Sequence, residues 1–130
     1  MIALLRIASS LLLPVLLVSP VLAQEAPADG ERLFRTRCAS CHSIDPGQNR
    51  IGPSLAGVFG RAAGKVDGAR YSPALGSSDM VWSVETLDTF LANPRQAVPG
   101  TTMTFALRDA TQRTAIIAFL RDRASAAAAN

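Results

Sequence analysis

Cys38-Ala39-Ser40-Cys41-His42 constrains this chain more than any other stretch, because it places the only two cysteines and the only histidine of 130 residues within five positions. Cys-x-x-Cys-His is the spacing of covalent c-type haem attachment. Two cysteines separated by two residues reach both vinyl groups of one porphyrin and hold it through thioether bonds. The histidine that follows lies under the iron and offers an imidazole nitrogen as the proximal axial ligand.

Other uses of these residues fit less well. A zinc site needs about four protein ligands when structural and three when catalytic, and no thiol or imidazole remains outside the cluster. A thioredoxin-like pair shares the Cys-x-x-Cys spacing but expects a βαβ setting, whereas the flanks here are helical before the pair and rich in glycine and proline after it. A plain disulfide leaves His42 without a task.

Residues 1–23 read as a secretory leader. Arg6 supplies positive charge, Leu11 to Leu22 an apolar core interrupted by Pro14, Ser19 and Pro20, and Val21-Leu22-Ala23 precedes a cut placed between Ala23 and Gln24. An uncleaved membrane anchor is the alternative. The apolar stretch is shorter than the ~20 residues of a spanning helix, and its prolines break it. Cleavage leaves a single domain at 24–123 and an alanine-rich tail at 124–130. A chain this small builds only a marginal core, so a buried porphyrin would supply much of the interior. Loss of Arg6 lowers the formal charge of +3 by one. Such weak, scattered basicity lacks the clustering of nucleic-acid binders.

The pattern of apolar residues and caps predicts an all-α fold. Asp29 is placed as the cap of a first helix carrying Leu33, Phe34 and Arg37. Ser72-Pro73 opens a short helix as N-cap and first helical residue. Ser83 caps a third, with Leu87, Phe90 and Leu91 at helical spacing before Asn93-Pro94 stops it. Asp109 and Gln112 match a capping box, and Ile116, Ile117, Phe119 and Leu120 form the apolar face of the last helix. Residues 46–68 are punctuated by glycine and proline, and nothing alternates as a strand would.

Iron held by His42 needs a sixth ligand. Met103 sits in the Pro/Gly-rich segment Pro99-Gly100-Thr101-Thr102-Met103-Thr104-Phe105, and His/Met ligation belongs to electron-transfer cytochromes. Met80 competes, though its place beside Trp82 favours packing. A core role is open for either methionine.

Taken in order, these residues resemble class I c-type cytochromes, the mitochondrial cytochrome c and bacterial cytochrome c2 group. The resemblance runs from Gly30 to about Arg121. It includes Gly30 and Phe34, the Cys38–His42 motif, Ile51-Gly52-Pro53-Ser54-Leu55, Gly57, Phe59-Gly60-Arg61, Tyr71, Trp82, the Leu87–Pro94 helix, the Met103 segment and Ile117-Ala118-Phe119-Leu120. It implies three main helices with short helices and loops wrapped around one covalent haem c, attached through Cys38 and Cys41, with His42 and Met103 on the iron. Pro53 would offer its carbonyl to His42. Arg61, Tyr71 and Trp82 would donate to one buried haem propionate and Thr101 to the other. Each of these also has a plain packing or solvated alternative. Gly30, Phe34 and Phe119 match the crossing of the terminal helices.

The implied function is a soluble periplasmic carrier, not an enzyme, passing single electrons between membrane redox complexes as a monomer. A quinol-oxidising complex or dehydrogenase would be donor; an oxidase or photosynthetic reaction centre would be acceptor. An electron-entry subunit of a dehydrogenase complex, a small haem peroxidase and a thiol oxidoreductase are the competing readings. Three departures from the family pattern stand out. Phe90 replaces a usual tyrosine, Leu75 falls where asparagine is common, and Lys65 is the sole lysine, so a docking ring of lysines is absent. Arg35, Arg37, Arg50, Arg95 and Arg108 supply at most a thin basic rim.

Overall fold

Five helices are laid along the chain, as a computed structural model describing residues 26–128 shows: α1 (Ala26–Arg37), α2 (Pro73–Gly76), α3 (Val84–Ala92), α4 (Pro94–Ala97) and α5 (Ala110–Ala128). The expected leader lies outside the described residues. Among those residues the only β pairing is an isolated antiparallel bridge between Ala62 and Val81, and no helix is long and apolar enough to cross a membrane.

Local chemistry sets most helix ends. The Ser72 side chain accepts from the Leu75 amide and Pro73 occupies the first turn of α2. Ser83 opens α3 through a reciprocal box: its hydroxyl accepts from the Thr86 amide at 3.2 Å, and the Thr86 hydroxyl accepts from the Ser83 amide at 2.8 Å. Asp109 caps α5 by accepting from the Gln112 amide at 3.1 Å. The first helix corrects the sequence reading. It begins at Ala26, and Asp29 lies inside its first turn, paired with Arg32 at 3.0 Å rather than capping. Helix α4 was not anticipated. Asn93 both ends α3 and begins α4, its side chain accepting from the Gln96 amide at 3.3 Å. The expected alanine-rich tail continues α5 as helix through Ala128.

The core forms along α5, which packs against α1 and against α3. Leu33 and Phe34 of α1, Leu87, Phe90 and Leu91 of α3, and Ile116, Ile117, Phe119 and Leu120 of α5 are all buried. Phe34 and Phe119 face each other with ring centroids 5.7 Å apart. Gly30 permits that approach, since a Cβ there would lie 2.7 Å from Phe119 Cβ and strike the Ala115 carbonyl of α5. The terminal helices thus cross face to face and fix the start of the loop that carries Cys38.

Candidate functional site

The attachment motif occupies the turn that leaves α1. Cys38 and Ala39 amides both donate to the Phe34 carbonyl at 2.8 and 3.0 Å, and the Cys41 and His42 amides return to the Cys38 carbonyl at 3.1 and 2.9 Å. This compact turn holds both cysteine side chains half-buried, with no disulfide between them. Burial, reinforced by neighbouring Cys41, pushes the Cys38 thiol up to about 11. Arg50, eleven residues on, donates from its guanidinium to the Ala39 carbonyl between the two cysteines. That arginine is therefore tied to the motif loop rather than being a free member of a basic rim.

His42 is oriented from its far side. Its Nδ1 lies 2.8 Å from the Pro53 carbonyl. A carbonyl only accepts, so Nδ1 carries the proton and Nε2 keeps a lone pair for a metal. Burial lowers the imidazole below its ordinary value, and the Pro53 hydrogen bond opposes that in part. The ring therefore favours the neutral form that ligation requires. Gly52 completes the cradle: a Cβ there would stand 2.8 Å from Nδ1 and 2.9 Å from Nε2. The Gly52 amide donates to the Cys41 carbonyl at 2.8 Å, which presses the segment against the ring. The resemblance included Gly52 but assigned it no role; a glycine immediately before the histidine-contacting proline was the available signal.

The loops around this cradle are linked by polar side chains that sequence reading also missed. Asn49 donates to the Asp67 carbonyl at 2.9 Å and accepts from the Ser54 amide at 2.9 Å. The buried Ser54 hydroxyl donates to the Asp45 carbonyl at 2.6 Å. Their partners lie five to eighteen residues away, beyond any local pattern.

The remaining candidates divide into two groups. Arg61 and Trp82 are brought together by backbone pairing, with Trp82 N–H donating to the Arg61 carbonyl at 3.0 Å and Gly60 N–H to the Trp82 carbonyl at 2.9 Å. The Arg61 guanidinium donates to the carbonyls of Ala56 at 2.7 Å and Ser54 at 3.0 Å. Burial lowers its pKa from the ordinary value, and nearby Tyr71 works against that shift. The Tyr71 hydroxyl accepts from the Val66 amide at 3.3 Å, and the buried Trp82 ring stands edge-on to Phe90 at 5.1 Å. In the second group, Thr101 is buried and its hydroxyl accepts from the Met103 amide at 3.4 Å. Met103 and Met80 are both half-buried against the core.

The donor set fits haem c. Two thiols share one turn with a neutral, backbone-oriented imidazole, and Gly52 leaves the space that this imidazole fills. A metal cage without porphyrin does not fit, since among the described residues no three His, Cys, Asp or Glu side chains converge.

Known proteins match both sequence and shape. The family model described as Cytochrome c matches residues 27–124. Cytochrome c from Gibberella zeae is 43% identical over 95 residues, covering 72% of this chain and 90% of that protein. Cytochrome c2 from Blastochloris viridis is 40% identical over 106 residues, covering 80% and 82%. The solved structure of cytochrome cH from Methylobacterium extorquens superposes with a TM-score of 0.67 at 38% identity, covering 74% of this chain and 97% of that one. Such agreement, spanning the described helices and the attachment motif alike, makes this chain a member of the cytochrome c family, an electron carrier rather than an enzyme, with haem c held through Cys38 and Cys41.

Proposed function

We propose that the chain is a monomeric periplasmic shuttle whose haem iron is ligated by His42 and Met103, and that it moves electrons from a quinol-oxidising complex or dehydrogenase to an oxidase or reaction centre. Bound haem c supplies the one-electron couple. The protein's own residues fix the ligands, exclude water and set the surroundings of that couple.

The observation that carries this reading is the His42 ring, held through Nδ1 by Pro53 at 2.8 Å so that Nε2 is left for iron. Met103 is supported as its counterpart by its position in the segment between α4 and α5, where Thr101 accepts its amide and the core takes up part of its side chain. Met80 has different surroundings. Its amide donates to Ser78 at 3.1 Å and its carbonyl accepts from Ala63 at 2.8 Å, one residue from the Ala62–Val81 bridge. That favours a packing role. Two filled axial positions leave no open site for substrate, in line with carriage rather than turnover.

The apolar leader supports export, with cleavage between Ala23 and Gln24. The shuttle reading is tested by adding the purified protein to membranes stripped of soluble carriers. Electron flow from quinol to oxygen should be restored in proportion to the protein added, and the protein released by osmotic shock should begin at Gln24. Protein that stays in a fixed complex with a dehydrogenase, and restores nothing when supplied alone, contradicts the reading.

A further inference from the structure

We infer that the Asp88–Arg113 pair positions the Met103 segment, pinning its downstream end so that the methionine stays on the iron. The inference rests on the proposed role of Met103 as sixth ligand. Arg113 lies in the first turns of α5 and reaches two parts of the chain at once, Asp88 of α3 and the adjacent carbonyls of Leu107 and Arg108. Its Nε donates to Asp88 Oδ1 at 2.7 Å, and its Nη2 to Oδ2 at 3.4 Å. Its Nη1 donates to the carbonyls of Leu107 at 3.1 Å and Arg108 at 2.8 Å. The buried Leu107 is held from the other side as well, its amide donating to the Leu91 carbonyl of α3 at 2.7 Å.

Exposure sets this pair apart from the other ion pairs. The Arg113 side chain is only 12% exposed, while Asp88 is 45% exposed. Surface pairs such as Asp29–Arg32 contribute little, because water screens them and both chains are free. A guanidinium withdrawn from water needs its charge and donors met, and the planar fork meets a carboxylate and two carbonyls in one geometry that lysine cannot copy. Without Asp88 the cation turns toward solvent and releases the two carbonyls. Met103 lies four residues before Leu107, so slack at Leu107 is transmitted to the thioether along a short stretch of chain. Upstream, the Met103 amide donates to the Thr101 hydroxyl over a long 3.4 Å, and Thr101 is itself buried with its amide on the Val98 carbonyl at 3.0 Å.

An added ligand such as imidazole binds iron only in the fraction of molecules whose methionine has left, so its apparent affinity scales with that open fraction. Local opening of the same segment exposes the Leu107 amide to exchange. Two independent readouts should therefore move together.

The test uses the ferric holoprotein, titrated with imidazole, alongside hydrogen exchange at the Leu107 amide. Asp88→Ala and Arg113→Lys should each raise imidazole affinity by about three- to tenfold, the range expected for losing a partly buried pair, and speed Leu107 exchange by a similar factor. Asp29→Ala, which breaks only an exposed pair, should change neither. If Asp88→Ala lowers the melting temperature while imidazole affinity and Leu107 exchange stay at wild-type values, the pair is packing alone and the inference is overturned. Met103→Ala separates the two claims. Unchanged imidazole affinity in that variant refutes Met103 as ligand, whereas faster Leu107 exchange in Asp88→Ala still reports the pinning of the segment.

Discussion

Gly52 shows how a single absent side chain organises the proximal face. The His42 ring occupies the volume that a Cβ at position 52 would need, while its Nδ1 proton is committed to the Pro53 carbonyl. Gly52→Ala should therefore push the imidazole off that carbonyl and cost about 1–3 kcal/mol, as overpacking does. Denaturant unfolding of the holoprotein measures the loss, and wild-type stability would refute the close approach. Pro53→Ala is the contrasting case. It keeps the carbonyl and changes mainly the unfolded chain, so the loss should stay near about 0.4–1 kcal/mol, with the visible spectrum unchanged. The attachment residues themselves were legible, because covalent chemistry fixes the spacing of Cys38, Cys41 and His42. Gly52, Asn49 and Arg50 were not read for their roles, since their partners are backbone groups or a ring brought near only by loop folding.

Among the elements, the crossing of α1 and α5 carries the sharpest expectation. Gly30→Ala improves intrinsic helix propensity by up to about 1 kcal/mol, yet the new methyl meets Phe119 Cβ at 2.7 Å and the Ala115 backbone. Backbone cannot yield as a flexible side chain can, so the clash dominates. A net loss of about 1–3 kcal/mol should appear as a lower melting temperature; a rise would mean the helices separate without penalty. Ser83→Ala should cost about 1 kcal/mol by removing one half of the α3 box. Helix ends were readable where a side chain caps its own next turn, as at Ser72, Ser83 and Asp109. At α1 the acid at position 29 reads as a cap but sits within the first turn, where a negative charge also suits the helix dipole. Helix α4 escaped notice because Asn93-Pro94 signals a stop and a start with the same two residues.

For the whole molecule, fold class followed from helical periodicity and from the cofactor that completes a small core, whereas the surface could not be read from residue order. Arg35 is paired with Glu31, and Arg50 is bound to the Ala39 carbonyl, which thins a basic rim that already lacks lysines. Ile51 is 80% exposed and Phe105 39%, leaving apolar surface beside the histidine cradle and the Met103 segment. Oxidation and reduction by partner complexes should thus vary only modestly between low and physiological salt. A fall in the second-order rate of about a hundredfold would instead indicate steering by a concentrated basic patch. The central claim, a covalent haem held between His42 and Met103, is tested most directly by the weak sulfur-to-iron absorption band of the ferric protein. Met103→Ala should abolish that band and lower the reduction potential while haem stays attached through Cys38 and Cys41, and Met80→Ala should preserve the band. Loss of the band in Met80→Ala, with its survival in Met103→Ala, would contradict the account.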